Sequence, residues 1–320
     1  MAHAQTWRFA LEEVDGSVQD AYAKEFKKRI EKKANGDVRV EIYPYGSLGT
    51  SSELTELLQQ NAIQLAFASP GHLASLIPET GVFTLHFLFS DDNAVNEKVL
   101  GSSKAIGMLE EAYGEQNLEL LGVIPEGWMA WTADRRIQTP KDMKGLKIRT
   151  MASPILIESY RAYGANPVPM PYSEVYSGLE LEQIDGQVNP IFAIEEMGFY
   201  DVQDYLIQAK QAQFITTLVA AEDFYANLPD DRRQMLGEVA ESMRSYIFDK
   251  QARFNEERLE AIRQDSNIQI STLSEEQRDA FREMSMPVRD IFIERAGERG
   301  KRILDTLEKD IQAAEQAAVE

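Results

Sequence analysis

The chain has 320 residues, 43% of them hydrophobic, a formal net charge of −20 at pH 7 and an isoelectric point near 4.7. That length provides for a large buried core and two domains, and so acidic a surface repels nucleic acid and anionic lipid, excluding both as partners. The absence of cysteine excludes disulfides, thiol catalysis and cysteine-ligated zinc or iron–sulfur centres, and no apolar run approaches the ~20 residues of a bilayer span.

Ala2-His3-Ala4 before Gln5 fits the small-x-small end of a secretory signal peptide, so residues 1–4 are read as a start methionine with the remnant of a cleavage site, and an exported chain is expected. A strongly acidic surface also stays soluble in strong salt, in keeping with a marine or halophilic source. Trp7-Arg8-Phe9-Ala10 predicts a strand. Val18, Ala21, Tyr22, Phe26 and Ile30 fall on one face of a helix from Val18 to Lys33. Asn35-Gly36-Asp37 is a turn, and Val38 to Tyr43 alternates as a strand. Thr50-Ser51-Ser52-Glu53 starts a helix running to Gln60, and Ile63 to Ala68 is a short apolar strand. This β-α-β-α-β opening implies a parallel sheet covered by helices.

A second α/β unit is predicted to begin near Trp128. It has strands at Met129–Thr132 and Leu146–Thr150, a helix at Pro154–Tyr163, a strand at Pro167–Met170, a helix at Ser173–Glu182 and a strand at Gly186–Asn189. Phe214 to Ala220 reads as a strand returning to the first sheet. From Pro229 to Asp265 the pattern is helical, about 50 Å long, which exceeds one domain and suggests a brace across two. Glu275 to Glu320 is helical and charged.

Motif chemistry is sparse. The three histidines, His3, His72 and His86, have no metal-ligand spacing. Gly46-Ser47-Leu48-Gly49 is a turn, short of any dinucleotide fingerprint, and no serine sits in Gly-x-Ser-x-Gly. No cofactor and no metal are expected. One position stands out. Arg149 closes the short apolar run Leu146-Lys147-Ile148, where a guanidinium fork suits a ligand carboxylate; a solvated strand end is the alternative. Asn189 also ends a strand, held extended by Pro190. Phe67 and Ser69 lie at a strand's carboxyl end, where open α/β sheets place ligands.

Several segments together resemble the periplasmic substrate-binding proteins of tripartite ATP-independent periplasmic (TRAP) transporters. They are Ala62-Ile63-Gln64-Leu65-Ala66, Ile77-Pro78 with Val82 to Phe89, Pro140 to Arg149, Pro171-Tyr172-Ser173-Glu174-Val175-Tyr176, and Asp185-Gly186-Gln187. The resemblance implies an α/β, two-domain periplasmic solute-binding fold with a hinge and a long helix spanning both domains. It also implies a monomeric periplasmic receptor without catalysis, which closes on a small solute and docks on membrane permease subunits. In such proteins the arginine matching Arg149 grips a ligand carboxylate and the asparagine matching Asn189 hydrogen-bonds it. The expected domains are residues 5–125 plus about 213–250, and residues 126–212 plus about 251–320.

Trp7-Arg8-Phe9-Ala10-Leu11-Glu12-Glu13, Pro125-Glu126-Gly127, Ile148-Arg149-Thr150-Met151 and Asn189-Pro190-Ile191-Phe192 are similar to the ectoine-binding branch of that family. There the glutamate matching Glu13 meets the amidinium side of the ligand. Met129 stands where most of the family has a second arginine. The chain departs from the branch too: Tyr172 and Ala193 replace expected tryptophans, while Trp128 and Trp131 are new near the expected hinge. The expected ligand is therefore an ectoine-like zwitterion, or a compact amine or amino alcohol, contacted by Glu13, Phe67, Ser69, Trp128, Arg149, Tyr172, Asn189 and Phe214. A small-carboxylate receptor, or a lyase or isomerase using Glu13 and Arg149, are the alternatives.

Overall fold

The computed structural model of the chain describes residues 4–319; the cleavage-site reading of residues 1–3 lies outside the described residues. The opening is the parallel unit the periodicity predicts. Strands β1 (Gln5–Ala10), β2 (Val38–Tyr43) and β3 (Leu65–Ala68) pair in parallel, with β1 between the other two. The helix Val18–Lys33 starts where Ser17 Oγ accepts from Asp20 N at 3.0 Å, and it ends with Lys32 and Lys33 beside its negative dipole end. Its face of Val18, Tyr22, Phe26 and Ile30 is buried against the sheet.

β4 (Leu118–Ala133) is 16 residues long and serves both halves of the molecule. The remaining strands are β5 (Lys147–Thr150), β6 (Asn166–Pro169), β7 (Gly186–Pro190), β8 (Tyr205–Gln208), β9 (Gln213–Ala221) and β10 (Gln269–Thr272). The order is β2-β1-β3-β9-β4-β7-β5-β6, with β8 also on β4 and β10 on β8. Residues Leu118–Trp128 of β4 run antiparallel to β9, which lies antiparallel to β3; Met129–Ala133 run antiparallel to β7 instead. The register shifts between Pro125 and Gly127, and Gly127 sits at φ 129°. Such a bulge bends a strand and explains why a proline is tolerated there. The strand expected at Met129–Thr132 is thus the end of a longer one that begins at Leu118.

The helix Asp230–Asp265 braces the two halves, as expected. Met235, Leu236, Val239, Met243 and Ile247 enter the core built on β1, β3 and β9, while Leu259 and Ile262 pack with Ala130, Val175 and Ile194. Beyond it the chain departs from the expected domain division. The helix Glu275–Ser285 places Phe281 in the core of the second half. The helical run Val288–Val319, broken at Gly297, returns Val288, Phe292, Ile303, Leu307 and Ile311 to the first core. There its apolar stripe covers the turn Pro78–Thr84 and the helices Asn93–Ser102 and Lys104–Gly114. The tail from residue 288 thus packs with the first half, not with the second to which its sequence position assigned it.

Asn255 of the long helix fastens the bend. Its Nδ2 donates to Glu126 O at 2.9 Å, and its Oδ1 accepts from Phe192 N at 3.1 Å, on the far side of the bend. A Cβ added at Gly127 would collide with this amide. Gly127→Ala combines that collision with an unfavourable φ, so urea unfolding is expected to show a loss of roughly 2–4 kcal/mol. Gly122→Ala, on the same strand with open space at its Cβ, should change stability by under about 0.5 kcal/mol.

Candidate ligand-binding site

A small cavity of about 30 Å³ lies between the halves, lined by Glu12, Glu13, Ser51, Ser69, His72, Arg149, Met151, Tyr172, Asn189, Pro190, Ala193 and Phe214. It is built from strand ends. Glu12 and Glu13 follow β1, Ser69 follows β3, Arg149 lies near the end of β5, and Asn189 near the end of β7. These are carboxyl ends of strands, the position where an open α/β sheet leaves a crevice. Phe214 comes from the start of β9, whose antiparallel course brings it to the same edge.

Arg149 is 1% exposed. Its Nε donates to Met170 O at 3.0 Å, while Nη2 is buried without a protein partner. Burial depresses its pKa to about 10. Burial, and then the Arg149 charge, push His72 down to about 4, so its imidazole is neutral at neutral pH. Asn189 Nδ2 donates to Gln187 Oε1 at 2.7 Å, and Gln187 Nε2 donates to Thr132 Oγ1 at 3.1 Å. This chain fixes the orientation of the Asn189 carboxamide.

Opposite the arginine stands a group of buried carboxyls. Glu12 accepts from Ser69 N at 2.9 Å and Ser69 Oγ at 3.3 Å, yet burial raises its pKa to about 8. Glu13 Oε2 accepts from Gln19 N at 3.1 Å, and burial raises it as well. Burial and the neighbouring Glu13 charge hold Glu126 well above the carboxylate range. Glu196 keeps both carboxyl oxygens buried without protein partners, and burial raises it to about 9. The Tyr172 hydroxyl is also buried without a partner, and its ring meets Tyr45 edge-on at 5.8 Å across the two halves.

Six of the residues expected at the site meet here: Glu13, Ser69, Arg149, Tyr172, Asn189 and Phe214. Two do not. Phe67 is wedged between Phe9 and Tyr22, each at 5.2 Å between centroids, because β3 is a central strand buried on both faces. Trp128 is only half-buried; the bulge sets it opposite Gln213, and Lys210 Nζ lies 6.0 Å from its ring, outside the cavity. Trp131 is fully buried in the second core, donating from Nε1 to the Tyr160 hydroxyl at 2.9 Å. Neither tryptophan therefore refills the space beside Ala193, which does line the cavity. Glu12, Ser51, His72, Met151 and Pro190 were missed. His72 and Met151 carry no local signal: His72 is a lone histidine without metal spacing, and Met151 reaches the site by seating on Gly71 of the opposite half, where a Cβ would collide with it. Glu12 was missed because Glu12 to Gly16 reads as a loop, where spacing gives no side-chain direction, and the resemblance singled out Glu13 alone.

Among the described residues there is no histidine and carboxylate cluster arranged to hold a metal ion, and no helix long and apolar enough to cross a membrane. Residues 9–295 match the family model of bacterial extracellular solute-binding proteins, family 7. The chain belongs to that family. It is 39% identical to the ectoine-binding periplasmic protein TeaA of Halomonas elongata over 98% of this chain and 92% of the relative. A structure of the ectoine-binding protein of the Halomonas elongata TeaABC TRAP transporter superposes with TM-score 0.93, covering 97% of this chain and 100% of that one. Identity is 37% to the ectoine/5-hydroxyectoine-binding periplasmic protein UehA of Ruegeria pomeroyi, again over 98% and 92%. An apo open structure of a TRAP periplasmic solute-binding protein from Marinobacter aquaeolei is 46% identical with TM-score 0.90, covering 95% of this chain and 99% of that one. The chain is thus a TRAP solute receptor, a binding protein and not the lyase or isomerase held as an alternative, and the expected fold class holds.

The buried carboxyls set a pH dependence of stability. Glu12 and Glu196 have folded values of about 8 and about 9 against 4.5 unfolded, so their stabilisation is full below 4.5 and is lost as pH rises through 8 to 9. His72 and His86, at about 4 and about 3, act in the opposite sense, but only below their ordinary 6.5. From pH 6.5 to 9 the carboxyls dominate, and ligand-free unfolding free energy is expected to fall by on the order of 2–4 kcal/mol. Urea unfolding at the two pH values checks this, and Glu12→Gln should shrink the fall.

Proposed function

We propose that this receptor binds an ectoine-like zwitterion in the periplasm and delivers it to TRAP permease subunits. The observation that carries this reading is the charge arrangement of the cavity. One guanidinium with a free Nη2 shares the cavity with two buried carboxyls, Glu12 and Glu13, that no Lys or Arg among the described residues pairs. A dianion would find only Arg149, since Met129 is buried in the second core and outside the cavity. A ligand with its carboxylate on Arg149 and its cationic nitrogen on Glu13 completes both. Tyr172 and Phe214 then flank the nitrogen, and such aromatic faces favour a desolvated cation by about 0.5–2 kcal/mol each. The names of two relatives, which specify ectoine and 5-hydroxyectoine, support the same class.

Binding works through closure: contacts from both halves favour the closed state, which the permease reads. Calorimetry with ectoine, 5-hydroxyectoine, succinate and galactonate tests the reading, with one-to-one binding and an unchanged solute expected for the first two. Arg149→Ala should weaken ectoine by a hundredfold or more, about 2–5 kcal/mol, and Glu13→Gln should weaken it sharply while keeping the shape. Tight binding of succinate or galactonate alone, indifferent to Glu13→Gln, would establish the small-carboxylate receptor instead.

A further inference from the structure

Glu126 is not a cavity-lining residue, yet it is wired to one. It sits in the β4 bulge, 0% exposed. Its Oε1 accepts from Gln19 Nε2 at 3.1 Å, and its Oε2 is buried without a protein partner. The same Gln19 donates its backbone N–H to Glu13 Oε2 at 3.1 Å and accepts at Oε1 from Glu12 N at 2.8 Å. One residue, through its backbone N–H and its side-chain amide, therefore holds the Glu13 and Glu126 carboxyls together behind the ligand cavity. Two carboxylates confined side by side in a dry interior cannot both ionise without a cation.

The charged and titratable groups around the pair supply none. Glu12 and Glu196 are themselves acidic and buried. Asp20 is engaged by Lys24 at 2.6 Å, and Arg258 by Glu195 at 2.7 Å. Burial keeps the Tyr172 phenol neutral, and His72 lies beside Arg149, which occupies the opposite end. The pair in the empty receptor must therefore keep one proton.

We propose that Glu126 is a specificity-determining residue: with Glu13 it forms a buried diacid that exchanges its proton for the cationic group of the ligand. This rests on the zwitterion reading above. No covalent bond changes; the proton shared by the two carboxyls leaves to solvent as the ligand's positive nitrogen takes its place, and the closed site then holds both carboxylates ionised. A neutral solute of the same shape cannot displace the proton, so the diacid selects for charge beyond what a single glutamate achieves. Because the ligand binds the ionised form, affinity rises with pH until the free pair is itself deprotonated.

The test is calorimetry of the intact receptor with ectoine in buffers of differing ionisation enthalpy. About one proton is expected to be released per ligand near pH 7, with affinity rising close to tenfold per pH unit between pH 6 and 8. Glu126→Gln, which preserves an acceptor for Gln19, should abolish the release and flatten the slope. A purely structural role for Glu126 would move affinity without moving the proton count. Tight ectoine binding by the unsubstituted protein with no proton release overturns the proposal and leaves the receptor reading standing, whether or not the variant folds. Undiminished release in Glu126→Gln also overturns it, by placing the proton on Glu12 or Glu196. Failure of ectoine to bind at any pH removes the zwitterion reading together with this one.

Discussion

Strand β4 is one backbone shared by two sheets, and the geometry of the site follows from where it bends. Up to Trp128 it is the partner of β9; from Met129 it is the partner of β7. A continuous strand can change partners only where its ladder is interrupted, and the bulge at Pro125–Gly127 supplies that interruption. Asn255 then ties the bend to the long helix on one side and to the segment after β7 on the other. The carboxyl ends of β1 and β3 and those of β5 and β7 consequently face one another across the bend. The same bulge that allows the hinge also carries Glu126 to the back of the site, so mechanical and electrostatic roles share three consecutive residues.

The site is assembled from groups that folding alone would not favour. A buried guanidinium with an unpaired nitrogen, carboxyl oxygens without donors and a phenol without a partner each cost on the order of 1–3 kcal/mol. They persist because the surrounding cores, built on fully buried residues such as Trp7, Phe9, Phe26, Trp131 and Tyr160, over-determine the backbone that carries them. Buried polar groups that no protein atom partners are the groups a ligand can satisfy, which turns a folding cost into binding selectivity.

How much of this was legible in the sequence depends on the range of the interactions concerned. The helix Val18–Lys33 and the strand Val38–Tyr43 stand where periodicity and capping predict them, because local chemistry defines their ends. The four-residue strands β8 and β10 escaped notice: they are short, and they exist because β8 pairs with β4 and β10 with β8 across the sequence. Spacing alone favours a solvated position for Arg149 at its strand end, and only the resemblance to a family makes it a site residue. Phe67 shows the reverse failure. Its position near the end of β3 suggested the crevice, but it lies one residue further inside than Ala68, in a central strand where Phe9 and Tyr22 pack against it. Trp128 was misplaced because no local pattern reveals on which side of a bulge a residue falls.

The contacts that join the two halves around the cavity are few and individually weak. Met151 seats in the notch left by Gly71, Tyr45 meets Tyr172 edge to face, and Arg258 pairs with Glu195 while its second nitrogen lies 3.5 Å from Gly16 O. An aromatic edge contact contributes about 0.5–1.5 kcal/mol beyond burial, and a partly exposed ion pair about 0–1 kcal/mol. The aromatic and ionic contacts together come to only about 0.5–2.5 kcal/mol, so closure depends on the contacts a ligand makes with both halves. A population shift from mostly open to mostly closed needs about 5.5 kcal/mol of differential binding. Contacts to Arg149 and Asn189 from one half and to Glu13 and Ser69 from the other supply that difference only when the ligand spans both. A solute that satisfies one half alone gains nothing from closing the receptor, and selection by charge at each end thereby becomes selection for the conformation that is handed on.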